Sequence, residues 1–358
     1  MTNIALVVLD TLRKDYFDKH FDWLPGTRYE NAWSTSHWTV PSHASLFTGR
    51  YASEAGVYRG AQKLDINDGV LAERLSDAKY TTRAFSANPN ISSRFLFDRG
   101  FDEFEGSWRL NHIEKNLFDW DVFIEKHRKE GVLRYLKAIK ECIITDCNTI
   151  PSIKHGALLK LRDLGYGRLT IDDGARSGLE LIETTNFDQN EFFFANLMEP
   201  HSPYSAPPEY QSVEPPEIRG LEATFTETAF DPDRIRQAYD DEVSYVSDMY
   251  HMMFTELKND FDVIITLSDH GELLGEDGAW EHMYGIYPEL THVPLVIWTG
   301  ENDVKYRSES VNLLDVYTTV LEAADIDSTD TRGRDLRSEL DNADCLTEYH
   351  GISERHYQ

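Results

Sequence analysis

Ile4-Ala5-Leu6-Val7-Val8-Leu9-Asp10 decides the fold. Six apolar residues in a row, closed by a carboxylate, are what a strand buried on both faces of a parallel sheet requires, since neither face meets water. Runs of the same length recur at Thr81 to Ser86, Glu191 to Met198, Val263 to Ser268 and Pro294 to Thr299. Amphipathic segments separate them. Pro41 to Thr48 should open a helix, with Pro41 and Ser42 in its first turn. Val311 to Ala324 places Leu313, Leu314, Val316, Tyr317, Val320 and Leu321 on or near one helical face. The alternation predicts an α/β fold with a mostly parallel central sheet. Two stretches depart from it. Trp108 to about Thr185 is rich in Lys, Arg, Glu and Leu at helical spacing and reads as a helical insertion covering the site. Ser202 to about Asp231 is a long Pro-rich loop of the kind that carries function inside a compact domain.

The 358 residues, 41% hydrophobic and 12% aromatic, can bury a large core, so a folded enzyme is the expected class. The net charge of -28, from 63 acidic and 35 basic residues, would repel nucleic acid from most of the surface. It also resembles the acidic surfaces of proteins from salt-loving organisms. Met1-Thr2-Asn3 offers no basic leader, no apolar run approaches the length of a membrane span, and the three cysteines fit a reducing compartment. These features place the chain in the cytoplasm. Cys142 and Cys147 have no second pair to complete a metal site. An enzyme for anionic substrates with this charge needs a locally positive centre, which a metal ion and a few His or Arg residues provide.

Asp10 and the pair Asp269-His270 each follow an apolar run, at the strand ends where ligand sites collect in open α/β sheets. Their oxygen and nitrogen donors suit Mg, Mn, Zn or Ca. Between them Trp38-Thr39-Val40-Pro41-Ser42-His43 places Thr39 just before a helix start, where backbone N–H groups favour an anion. Taken singly, Asp10 and Thr39 read equally well as helix caps and His43 as a surface residue.

Together these strings resemble the sulfatase and alkaline-phosphatase superfamily. TVPSHASLFTGR from Thr39 is similar to the sulfatase signature C/S-x-P-S-R-x-S-L-x-T-G-R. LVVLDTLRKDY, RGFDEF at Arg99, MEPHSPYSAPP at Met198, SDHGELLGEDGAWEH at Ser268 and VNLLDVYTTVLEAADI at Val311 follow in the family's order. The resemblance implies an alkaline-phosphatase-like three-layer sandwich over residues 1–335, with 108–185 as the insertion and 336–358 as the remnant of a shortened C-terminal subdomain. It implies one divalent metal ion (Mn, Mg, Ca or Zn) held by Asp10, Thr39, Asp269 and His270, with Thr39 as nucleophile. His201 matches a histidine that contacts the ester oxygens or protonates the leaving group, and His43 is a second candidate donor. His282 lies near a position where many sulfatases place a lysine that grips sulfate.

The departures shape the expected chemistry. Sulfatases convert a cysteine or serine at the Thr39 position into formylglycine, and threonine cannot be oxidised to that aldehyde. The arginine of the signature is His43 here. Members with threonine resemble phosphodiesterases, phosphoglycerol transferases and phosphomutases. The expectation is a metal-dependent hydrolase or transferase of anionic esters, phosphate preferred to sulfate, acting on a small-molecule, glycan or lipid-headgroup ester. The alternatives are a sulfatase working without formylglycine and a non-catalytic protein that binds anionic glycans or lipid headgroups.

Overall fold

The structure, a computed structural model, describes residues 2–107, 110, 118, 120, 123, 127, 133–145, 147–163, 174–214, 220–225 and 231–351. Strand β1, Ile4–Leu9, divides its side chains by the period of two that a pleated strand imposes. Ile4, Leu6 and Val8 enter one buried apolar cluster, and Ala5, Val7 and Leu9 enter another. A strand filled this way has a layer on each face.

Its partners are β2 (Gly26–Trp33), β3 (Thr81–Ser86), β4 (Glu103–Gly106), β5 (Glu191–Leu197), β6 (Val263–Leu267), β9 (Leu295–Trp298) and β10 (Val304–Asn312). They form one sheet in the order β10-β2-β9-β6-β1-β5-β3-β4, and β7 (Leu273–Leu274) and β8 (Trp280–Glu281) pair separately as a small antiparallel ribbon. β1 runs parallel to both neighbours, with Ile4 opposite Phe192 and Val263. Only β9 runs against its neighbours β2 and β6.

Helices α1 (Lys14–His20), α2 (Thr39–Thr48), α3 (Leu71–Asp77), α4 (Ala175–Thr184), α5 (Pro232–Asp260) and α6 (Leu313–Ala323) supply the outer layers. Val40, Ala44 and Phe47 of α2, Leu71 and Leu75 of α3, and Val316, Val320 and Leu321 of α6 pack with Ile4, Leu6 and Val8. Phe17 of α1, Ile182 of α4 and Val243, Val246 and Tyr250 of α5 pack with Ala5, Val7 and Leu9. The arrangement is the expected three-layer sandwich on a mostly parallel sheet.

The expected strands stand within one residue of their predicted ends. The sequence reading missed β2, β4 and β10, whose exposed or half-exposed charges hide the apolar pattern. It also placed the start of α2 at Pro41, whereas the helix begins at Thr39 with Trp38 as its cap. Within 108–185, helices Leu133–Ile144 and Thr149–Asp163 pack on each other, and α4 packs on α5 and β5. Much of the rest of that stretch, and with it the expected cover over the site, falls outside the described residues. Near the C-terminus, Glu348 N–H donates to Thr35 O at 2.9 Å and Thr347 Oγ1 to Ser34 O at 2.6 Å. These bonds tie 347–348 to the loop leading into α2.

Candidate active site

Four neighbouring parallel strands point their carboxyl ends at one place. β1 delivers Asp10, β6 delivers Asp269 and His270 two and three residues beyond its end, β5 carries Asn196, and β3 leads to Asn88. Asp10, Asp269 and His270 are wholly buried, and one ligand atom from each lies within 4.8 Å of the others. Among the described residues this is the one such cluster of His, Cys, Asp or Glu.

The residues around the cluster fix its chemistry. His270 Nδ1–H donates to Gly271 O at 2.8 Å, which leaves the Nε2 lone pair facing inward, 3.5 Å from Asp269 Oδ2 and 4.0 Å from Asp10 Oδ1. A backbone acceptor on one ring nitrogen is how a metal-ligating histidine is held in the right tautomer. Asn88 Nδ2 donates to Asp10 Oδ2 at 2.6 Å, and the amide N–H groups of Thr11 and His270 donate to Asp269 Oδ1 at 3.4 and 3.0 Å. Each carboxylate is thus braced on one oxygen. The others, Asp10 Oδ1 and Asp269 Oδ2, are buried without a hydrogen-bond partner.

Two buried carboxylates cannot both stay ionised without a cation. Burial, then the charge of Asp269, pushes the Asp10 carboxyl up to about 8. Asp269 goes the other way: burial raises it, but His270, His43 and the Thr11 amide outweigh burial and hold it below the usual carboxylate range. Burial lowers His270 from the usual imidazole value, favouring the neutral ligand form. The orphaned oxygens, the inward lone pair and the hard donor set fit a divalent cation.

Thr39 is brought to the same point from the opposite side. As first residue of α2 it places Oγ1 3.2 Å from His270 Nε2. One turn on, His43 lies beneath it, fully buried among Phe47, Phe97 and Phe194. Its Nδ1 reaches Thr39 O at 3.0 Å and Asp269 Oδ2 at 3.4 Å, while Nε2 accepts from Asn196 Nδ2 at 3.0 Å. With both ring nitrogens engaged inside the protein, His43 braces Thr39 rather than reaching outward.

His282 and His201 line the other flank. The His282 ring centre is 4.6 Å from that of His270 and 5.1 Å from that of His201. His282 Nδ1 meets buried Glu272 Oε1 at 3.0 Å, and the His282 carbonyl accepts from His37 Nδ1 at 2.9 Å. His201 Nδ1 donates to Ser202 O at 2.7 Å. All seven residues singled out from the sequence therefore converge. Asn88, Asn196, Glu272 and His37 were not anticipated. Asn196 had the clearest signal, a lone amide inside the apolar run of β5.

A family model described as Sulfatase matches residues 3–326. The chain belongs to the sulfatase family. Human iduronate 2-sulfatase is 22% identical over 352 residues, covering 83% of this chain and 59% of the relative. This sulfatase-family chain thus spans about three fifths of that relative's length. Among solved structures it resembles phosphonate monoester hydrolase from Silicibacter pomeroyi, with a TM-score of 0.63 at 17% identity over 94% of this chain and 76% of that one. A protein solved with its substrate D-glucosamine-2-N,6-O-disulfate matches all of this chain and 82% of its own, with a TM-score of 0.60 at 14% identity. At these identities the likeness establishes the shared fold alone.

Proposed function

We propose that the protein is a metal-dependent enzyme that hydrolyses or transfers anionic esters, with Thr39 as nucleophile and phosphoesters preferred over sulfate esters. The observation that carries this reading is Thr39 Oγ1 at 3.2 Å from His270 Nε2, inside a buried Asp10, Asp269 and His270 cluster. A divalent ion held by Asp10, Asp269, His270 and Thr39 would lower the hydroxyl's pKa and offset charge on the ester oxygens.

The side chains divide the remaining work. Thr39 Oγ, its proton released to solvent, forms a bond to phosphorus as the bond from phosphorus to the ester oxygen breaks, and the protonated ring of His201 hands that departing oxygen a proton. Water or an acceptor alcohol then attacks the threonine ester and restores the hydroxyl. His43, fixed by Asn196 and the Thr39 carbonyl, orients the nucleophile. His282 offers its edge to the anion. Sulfate is disfavoured because a threonine sulfate lacks the aldehyde-hydrate route by which formylglycine expels it. The family membership and a phosphonate monoester hydrolase of the same fold support a site open to phosphorus as well as sulfur.

The test is turnover of p-nitrophenyl phosphate, bis-p-nitrophenyl phosphate and p-nitrophenyl sulfate with Mn, Mg, Ca or Zn, for the native chain and Thr39→Ala. Phosphoester turnover should require the ion and fall at least ~10³-fold in the variant, the scale expected when a covalent nucleophile is removed. Sulfate turnover that survives Thr39→Ala would sink the covalent phosphoester reading.

A further inference from the structure

Far from the site in sequence lies a segment whose charge contradicts the rest of the molecule. Between residues 126 and 168 there are ten Lys and Arg against four Asp and Glu, in a chain whose net charge is -28. Two described helices belong to it, Leu133–Ile144 and Thr149–Asp163. Their inner faces are occupied. Ala138 and Cys142, one turn apart, pack with Phe118 and Phe123. Ser152 Oγ accepts from Phe118 N–H at 2.9 Å, and the Trp120 indole donates to Ser152 O at 2.8 Å.

The outer faces carry the reverse of a solvated surface. Ile143, Ile144 and Ile150 are 64%, 69% and 71% exposed, with Ile139 and Ile153 beside them at 45% and 37%. Lys137, Lys140 and Lys154 are exposed among them. Five aliphatic side chains interleaved with lysines form a pattern that water does not favour and that a lipid interface does. Isoleucine enters the acyl boundary while lysine reaches back to the headgroups. No described helix is long and apolar enough to cross a membrane.

We propose that this basic, isoleucine-faced helix pair docks the protein on the surface of an anionic lipid membrane. The charge argument chooses the partner. A chain of net charge -28 is repelled by an anionic bilayer, and these two helices, with six Lys and Arg against two Asp and Glu, reverse that sign locally, so they set the face presented. An acidic protein, including a second copy of this chain, would attract the lysines but gives the five exposed isoleucines no apolar phase to enter. The inference is independent of the ester chemistry, since it concerns binding alone.

The experiment is sedimentation of the full chain with vesicles of phosphatidylcholine, pure or containing phosphatidylglycerol. It is run at about 0.1 M and about 1 M salt, across which the Debye length falls from roughly 10 to roughly 3 Å. Partitioning should require phosphatidylglycerol at low salt and weaken at high salt. Ile143→Glu with Ile144→Glu, and separately Lys137→Glu with Lys140→Glu and Lys154→Glu, should each lower the partition coefficient about tenfold or more at unchanged circular dichroism and Tm. The substituted residues are exposed, so the fold survives both sets. Equal partitioning of native and substituted chains overturns the proposal. So does the absence of vesicle binding, including the case where the same substitutions abolish self-association measured by light scattering.

Discussion

Asp10 and Asp269 are both wholly buried and each leaves an oxygen unpartnered, so the site pays electrostatically for being ready to receive a cation. Replacing one carboxylate by its neutral isostere has opposite consequences in the two states. In chelator at neutral pH, Asp10, whose carboxyl is pushed up to about 8, must take up a proton as the chain folds, and Asp10→Asn removes that cost and should raise stability by about 1–3 kcal/mol. With divalent ion present the order reverses, because the variant has lost a charged ligand and with it most of the stabilisation that binding confers. Thermal melts of both proteins, with and without chelator, read this crossing. A variant less stable than the native chain under both conditions contradicts the idea that Asp10 is a strained ligand and makes it an ordinary structural carboxylate. Asn196 acts on Thr39 through His43, and its Nδ2 also reaches Asp10 Oδ2 at 3.5 Å. Asn196→Leu leaves the His43 ring without its donor and removes a long bond to Asp10, so kcat should fall about tenfold or more, with a smaller loss of ion affinity because Asn88 still holds the same Asp10 oxygen. A loss of ion affinity as large as the loss of kcat would contradict the route through His43.

At the scale of elements, α2 does the positioning, because Thr39 and His43 ride on it one turn apart. Its far end is set by Gly49, whose φ of 65° is left-handed and whose missing side chain makes room for the Tyr317 ring of α6. Gly49→Ala meets both obstacles, the disfavoured conformation and the ring, and should cost about 2 kcal/mol in denaturant unfolding. Since the helix must shift to relieve the clash, activity should drop beyond the loss of folded protein. The same elements show what could be read in advance. β1, β5 and β6 were legible because burial on both faces forces uninterrupted apolar runs, and their ends then gave Asp10, Asp269 and His270. β10 was not, since an edge strand reading Val-Lys-Tyr-Arg-Ser-Glu carries the exposed charge that natural sheets place at edges. The reversal of β9 was equally hidden, as a strand's apolar content does not encode its direction. Asn88 and Glu272 became meaningful only when the sheet brought Asn88 to Asp10, 78 positions apart, and the turn after β8 brought His282 back to Glu272.

The whole molecule carries 63 acidic residues against 35 basic ones, and the sign of its response to salt follows from which interactions outnumber the others. Salt screens attraction and repulsion alike. The attractive pairs include Lys14 with Asp18 and Lys19 with Asp240, each with at least one partly or largely exposed partner, a setting in which a pair contributes little. The repulsion acts between many unpaired carboxylates and grows with the square of net charge, so screening it should dominate. Raising monovalent salt from about 0.1 to about 1 M should therefore lift Tm by about 5 °C, a change of a few kcal/mol for a chain of this size. The melts belong in chelator, so that occupancy of the Asp10 cluster by trace divalent ions does not mimic screening. Potassium chloride and sodium chloride should act alike if screening is the cause, whereas a rise with only one of them would indicate a specific ion site. A Tm that falls with salt would show that the ion pairs outweigh the surplus of carboxylates.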